Sequence, residues 1–255
     1  FHAILWSAND LWSDYDPDAD PQGLISAIAA TIRRDRPHLG RQKSVLQIPD
    51  RKRLLPVDLT RAAARGLYPG DTPAIDTSAL PRGRQVLGGV QFVIPGDEEA
   101  LGPLPAVDWH TRATPPILVG KCADALAFLH STTVSRVHAP TYYSLDLGPN
   151  LVGAYAVTYA DGQTIEVPLE FAWNIDTLAA AYMGGGSGDQ GAKIGAYDYA
   201  ADPVVRGVTA DGQAYTIFMY EWVNPRPQVP LRDVRLLWRA GYTNGVIALL
   251  GMTVV

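Results

Sequence analysis

Apolar residues recur along most of this chain in short runs bounded by turn formers. Val90-Gln91-Phe92-Val93-Ile94, introduced by Gly89, stops at Pro95-Gly96, and Pro116-Ile117-Leu118-Val119 stops at Gly120. Ala125-Leu126-Ala127-Phe128-Leu129-His130 is a further run. Segments of this length, rich in β-branched and aromatic residues and punctuated by Gly and Pro, predict strands. The clearest hairpin joins residues 154–159 to 164–169 through Asp161-Gly162, because Gly takes a positive φ without steric cost and Asp tolerates the turn. A second Asp211-Gly212 pair precedes the run Tyr215 to Tyr220, and residues 234–237 and 246–255 supply two more strands. Strands at this spacing predict an antiparallel two-layer β-sandwich over residues 54–255.

The first fifty residues follow a different period. Asp20-Pro21 reads as a helix N-cap followed by the first helical residue. Leu24, Ile25, Ile28 and Ile32 then share one helical face, and Arg33, Arg34 and Arg36 lie where the helix dipole favours cations. The spacing predicts a helix over 21–34, ended by Pro37 and Gly40. Residues 1–53 are therefore expected to form a helical segment and a basic linker carrying Lys43, Arg51, Lys52 and Arg53.

Composition narrows the classes. The 24 glycines and 20 prolines are dispersed instead of repeating, which suits many short strands and tight turns. A net charge of −5 with no concentrated Lys/Arg tract argues against a nucleic-acid surface held by phosphate contacts. Cys122 is the only cysteine, so neither an intrachain disulfide nor a cysteine zinc cluster can form. No run of about 20 apolar residues predicts a membrane-spanning helix. The chain opens on Phe-His-Ala-Ile-Leu-Trp without Met, which reads as part of a longer polypeptide.

Motifs that could carry cofactor or metal chemistry lack the context they need. Gly186-Ser187-Gly188-Asp189-Gln190-Gly191 matches the dinucleotide fingerprint letter for letter, yet no strand precedes it and no helix pattern follows. It is expected to be a glycine loop, and no cofactor is expected. Asp14, Asp16 and Asp18 have the early spacing of a calcium loop, but Ala19 stands at the glycine position and Ile25 where a bidentate Glu belongs. Cys122, His130 and His138 fit no common zinc spacing. No metal is expected.

Carboxylate chemistry is equally thin. Glu98, Glu99, Glu166, Glu170 and Glu221 are the only glutamates. A glycosidase needs two carboxyl groups facing each other across a sugar. Glu166 and Glu170, four apart on one strand, are expected on one face, and Glu221 adjoins Trp222 on another strand, so no pair stands out. No GxSxG elbow is present. Aromatic residues are more suggestive. Trp109, Tyr142, Tyr143, Trp173, Tyr197, Tyr199 and Trp222 mostly fall near predicted strand ends, beside Asn174, Asp176, Asp198 and Asn224. Rings at a rim can stack on the C–H face of a sugar while amides and carboxylates meet its hydroxyls. The candidate carbohydrate-binding residues are Trp173, Asn174, Asp176, Tyr197, Tyr199 and Trp109. Trp222, inside a strand, is expected in the core.

Several stretches carry a family resemblance. Leu55-Pro56-Val57-Asp58-Leu59, Gly89 to Ile94, Ala127-Phe128-Leu129-His130-Ser131, Tyr159-Ala160-Asp161-Gly162, Glu221-Trp222-Val223-Asn224-Pro225-Arg226-Pro227 and Leu250-Gly251-Met252-Thr253-Val254 occur in order over about four-fifths of the chain. Residues 54–255 thereby resemble the C-terminal, carbohydrate-binding-module-like β-sandwich of bacterial glycoside hydrolases. Trp6-Ser7-Ala8-Asn9-Asp10-Leu11-Trp12 is similar to the closing segment of family-20-type β-N-acetylhexosaminidase-like barrels. The resemblance implies a jelly-roll or galactose-binding-like sandwich. It also implies a carbohydrate partner, an adjoining catalytic domain, and a secreted or periplasmic parent. Trp6, Asn9 and Asp10 would lie near a sugar pocket whose catalytic carboxylates are elsewhere, since a barrel needs about 250 residues of its own. The leading expectation is a non-catalytic accessory domain that binds carbohydrate or buttresses a glycosidase. A glycan-active enzyme using Glu221, Glu170 or Asp176, and a structural adhesion domain, are the alternatives.

Overall fold

The computed structural model describes residues 46, 54–63, 77–97, 101–134, 151–171, 174–178, 201–210, 212–241 and 245–255, all within the unit Ser44–Val255. The helix expected at 21–34, the aspartates before it, the 186–191 glycine stretch and Trp6, Asn9 and Asp10 lie outside the described residues.

The strands are β1 (Leu55–Pro56), β2 (Gly83–Leu87), β3 (Val90–Ile94), β4 (Ala106–Val107), β5 (Ile117–Lys121), β6 (Ala125–Thr132), β7 (Leu151–Tyr159), β8 (Thr164–Glu170), β9 (Ala201–Val208), β10 (Ala214–Val223), β11 (Leu231–Trp238) and β12 (Ile247–Val254). One sheet runs β1-β12-β6-β10-β9, with β4 also paired to β12, and a second runs β5-β11-β7-β8. Every pairing between these strands is antiparallel. The β7–β8 hairpin forms as its turn chemistry dictates, with Thr158 opposite Thr164 and Gly162 at φ 88°.

The two sheets pack face to face around Phe128, Tyr155, Val157, Leu169, Trp222, Leu236 and Leu249, among others. Trp222 is 5% exposed, in the core as its strand position implies. A two-layer sandwich would leave the outer face of the larger sheet wet. Instead β6 and β12 are buried at every position, and the β2–β3 hairpin forms a third layer over them. The reason is visible in the run Ala125 to Leu129. Even positions Leu126 and Phe128 enter the core between the sheets, whereas Ala125, Ala127 and Leu129 pack beneath Phe92 and Ile94 of the hairpin. Covering both faces removes more apolar surface from water, at about 25 cal/mol per Å².

A bulge keeps this sorting in register along β12. The pairing with β6 shifts between Leu249 and Gly251, so Leu249 and Met252, three apart, both face the inter-sheet core. Gly251 faces the other way, where an added Cβ would sit 2.9 Å from Phe92 Cδ1. Only glycine lets the hairpin approach this closely.

One end of the sandwich is tied together by side chains from three short connections. Arg226 forms an ion pair with Asp161, donates to Gln163 Oε1 at 2.7 Å, and lies 4.6 Å from the centre of the Tyr159 ring. The Tyr159 hydroxyl donates to Asn224 Oδ1, and Asn224 Nδ2 donates to the Ala123 carbonyl at 2.7 Å.

Candidate functional site

At the opposite end, the segment 174–178 folds back after β8 and enters the large sheet. Thr132 N donates to the Asp176 carbonyl, Leu178 N to the Thr132 carbonyl, and Thr216 N to the Leu178 carbonyl. The segment thus wedges between β6 and β10 just beyond their last pair, Phe218 and His130, and supplies partners that the splayed strands would otherwise lack. Ser131 Oγ donates to the Asp176 carbonyl at 3.1 Å.

This wedge is held by Asn174 and His130. Asn174 Oδ1 accepts from Glu170 N and its Nδ2 donates to the Pro168 carbonyl, each at 2.8 Å. His130 Nε2 lies 2.8 Å from the Asn174 carbonyl, and Nδ1 lies 2.8 Å from the Tyr155 hydroxyl. A carbonyl only accepts, so Nε2 carries the proton and Nδ1 accepts from Tyr155. Burial pulls the imidazole down to about 4, against the opposing pull of the bond to Asn174. Burial likewise lifts the Tyr155 hydroxyl well above its ordinary range and pushes Tyr220 up to about 12. The rings stack: Phe128 on Tyr155 at 3.9 Å, and His130 between Tyr155 at 5.9 Å and Tyr220 at 6.3 Å. With both nitrogens engaged and no exposure, His130 is a neutral cross-link between β6, β7 and the wedge.

These bonds decide the fate of two residues expected at a sugar-binding edge. Asn174 is 0% exposed and Asp176 2%. The donor and acceptor of Asn174, which would have met sugar hydroxyls, instead satisfy backbone groups of β8. Trp173, Tyr197 and Tyr199 lie outside the described residues, as do Tyr142, Tyr143 and His138.

Trp109 is at the surface. It is 39% exposed, one of four large apolar side chains so placed among the described residues, the others being Val86, Leu118 and Val208. Its position is set by the turn that follows β4. Asp108 is 2% exposed, and its Oδ1 accepts from His110 N and Thr111 N, while its own N–H donates to the Thr111 carbonyl at 3.1 Å. The turn is anchored to β11 by Trp238 N donating to the Arg112 carbonyl and Thr114 N donating to Leu236. The buried carboxylate therefore acts as a peg, and Trp109 and His110 project from it with ring centres 3.5 Å apart and planes at 39°. Arg112 is exposed, and its Nε donates to the Trp109 carbonyl at 3.3 Å. His110 and Arg112 were not among the sequence candidates. The spacing Asp108-Trp109-His110-Thr111 is an Asx-turn signature that could have drawn attention to them.

The carboxylates considered for catalysis do not converge. Glu166, expected on the same face as Glu170, is exposed and ion-paired with Arg239, whereas Glu170 is 3% exposed under the turn that Asn174 closes. The β7–β8 register shift between Leu151 and Gly153 puts its extra residue on β7, so along β8 Glu166 and Glu170 both alternate with the core residues Val167 and Leu169. Glu221 alternates with Tyr220 and Trp222 on β10, so it points to the other face of the large sheet, where its Oε1 accepts from Leu46 N at 2.8 Å. Beside it on β9, Asp202 has its carboxyl raised by partial burial and by the charge of Glu221. Among the described residues no group of three or more His, Cys, Asp and Glu could hold a metal ion, and no helix is long and apolar enough to cross a membrane.

Compared with models of known protein families, with curated proteins and with solved structures, the chain shows no match.

Proposed function

We propose that this sandwich is a non-catalytic accessory domain of a carbohydrate-active protein and that it binds glycan at the Trp109 rim. The observation that carries the reading is the placement of Trp109: a large ring left exposed on a turn that a buried carboxylate and two strand contacts hold rigid. An indole fixed in this way stacks on a pyranose with little loss of side-chain entropy. The family resemblance of residues 54–255 points the same way. The burial of Glu170 and Asp176, and the opposite facing of Glu221, weigh against an acid and nucleophile pair on this unit.

Affinity electrophoresis of the full chain through gels containing soluble polysaccharides tests the reading. Wild-type protein is expected to be retarded by at least one polymer. Trp109→Ala is expected to abolish that retardation while its melting temperature stays within about 2 °C of wild type, as for a surface substitution. Retardation unchanged by Trp109→Ala, or none on any polymer, would remove the proposal.

A further inference from the structure

We infer that the Trp109 rim selects anionic sugars, those bearing a carboxylate or a sulfate, over neutral ones. The inference rests on the reading of Trp109 as a glycan platform and adds the chemistry of its ligand.

Arg226 is paired with Asp161, Arg239 with Glu166, and Arg232 and Arg235 both face Asp233. Arg112, like the exposed Arg84, has no carboxylate partner among the described residues, and its Nε donates instead to the neutral backbone carbonyl of Trp109 on its own turn. That bond orients the guanidinium beside Trp109 and leaves both terminal nitrogens for a ligand. A guanidinium presents a planar fork that matches a carboxylate or sulfate in bidentate fashion, and such charge-assisted bonds are about twice as strong as neutral ones. The nearest acid in sequence, Asp108, is 2% exposed and its Oδ1 is turned onto His110 N and Thr111 N. The exposed His110 ring, tilted against Trp109, adds a polar edge to the same corner. A sugar resting on Trp109 therefore has a cation at its margin, held by the same turn that holds the ring.

Isothermal titration of the full chain against polygalacturonate, alginate and heparin oligosaccharides, with cello-, xylo- and chito-oligosaccharides as neutral counterparts, tests this directly. Wild-type protein is expected to bind at least one anionic series about tenfold or more tighter than any neutral one, the discrimination a charge-assisted bidentate contact supplies. Binding to the uronates as tight as to heparin identifies carboxylate as the recognised group, and a preference for heparin over both uronates identifies sulfate. Arg112→Gln is expected to erase that preference and Trp109→Ala to abolish binding to every series. Raising NaCl from about 50 to 500 mM should weaken anionic binding several-fold and leave neutral binding unchanged. Trp109-dependent binding with no anionic preference, or a preference that survives Arg112→Gln with the fold intact, would overturn this inference and leave the glycan-binding reading standing. No Trp109-dependent binding to any series would overturn both.

Discussion

The two ends of the sandwich use the same residue type for the same task in opposite surroundings. At one end Asn224 links the Ala123 carbonyl to the Tyr159 hydroxyl, and the visible brace over it is the exposed Arg226–Asp161 pair. At the other end Asn174 links two backbone groups of β8, and the brace over it is a buried imidazole between two tyrosines. Both asparagines are buried, at 4% and 0% exposure. The braces differ in their access to water. Water and salt can replace an exposed ion pair, whereas nothing replaces a dry hydrogen bond.

The comparison breaks most visibly at Asn174. Asn174→Ala strands the Glu170 N–H and the Pro168 carbonyl, and a loss of about 2–4 kcal/mol by urea titration is expected for two orphaned backbone groups. A loss below about 1 kcal/mol would mean that water reaches the wedge.

Acid provides the next test. The His130 imidazole is held near 4 in the folded chain against 6.5 as its ordinary value, so below pH 6.5 the unfolded chain binds the proton more readily. The stability that neutral His130 contributes is full above pH 6.5 and is lost as pH falls toward 4, by up to about 3 kcal/mol. His130→Gln, which cannot titrate, should flatten this part of the pH–stability curve, measured by chemical denaturation at steps from pH 7.5 to 4. A curve equally steep in the variant would place the acid sensitivity elsewhere.

The surface brace should respond weakly. Arg226→Ala is expected to lower the melting temperature by about 2 °C in low salt and by less in about 1 M NaCl. The smallest effect has the opposite sign. The Asp202 carboxyl is raised above 3.8 by burial and by Glu221, so its ionised form opposes folding at neutral pH. Asp202→Asn should raise the melting temperature at pH 7 by about 1 °C, with the gain vanishing below about pH 4, where the carboxyl is protonated in both states. A gain that persists in acid would rule out the charge as its cause.

The same contrast explains what could be read from the chain. The β7–β8 hairpin was legible because Asp161-Gly162 encodes its own turn, and β6 and β12 because strands dry on both faces must be apolar throughout. The third layer was less so, since the alternation in Ala125 to Leu129 shows an apolar run and not which partners cover each side. Asn174 was misplaced at the surface for a related reason. Its amide advertises hydrogen bonding, but whether the partner is a sugar or the backbone of the strand just before it depends on how tightly the chain folds back onto residues 168–170. Trp109 could be read as a rim aromatic. Its companions Arg112 and His110 became meaningful only once the Asp108 turn placed them beside it.

The position of β12 has a kinetic consequence. It is an interior strand of the large sheet, between β1, whose Leu55 pairs with Val254, and β6. Neither neighbour is near it in sequence, so each pairing closes a very long loop before any contact repays the lost entropy. Topologies of this kind fold in about milliseconds to seconds, or more slowly in larger chains. Throughout that wait the apolar β6 run is an open edge. Refolding yield should therefore depend on protein concentration, with self-association competing for the place that β12 finally takes.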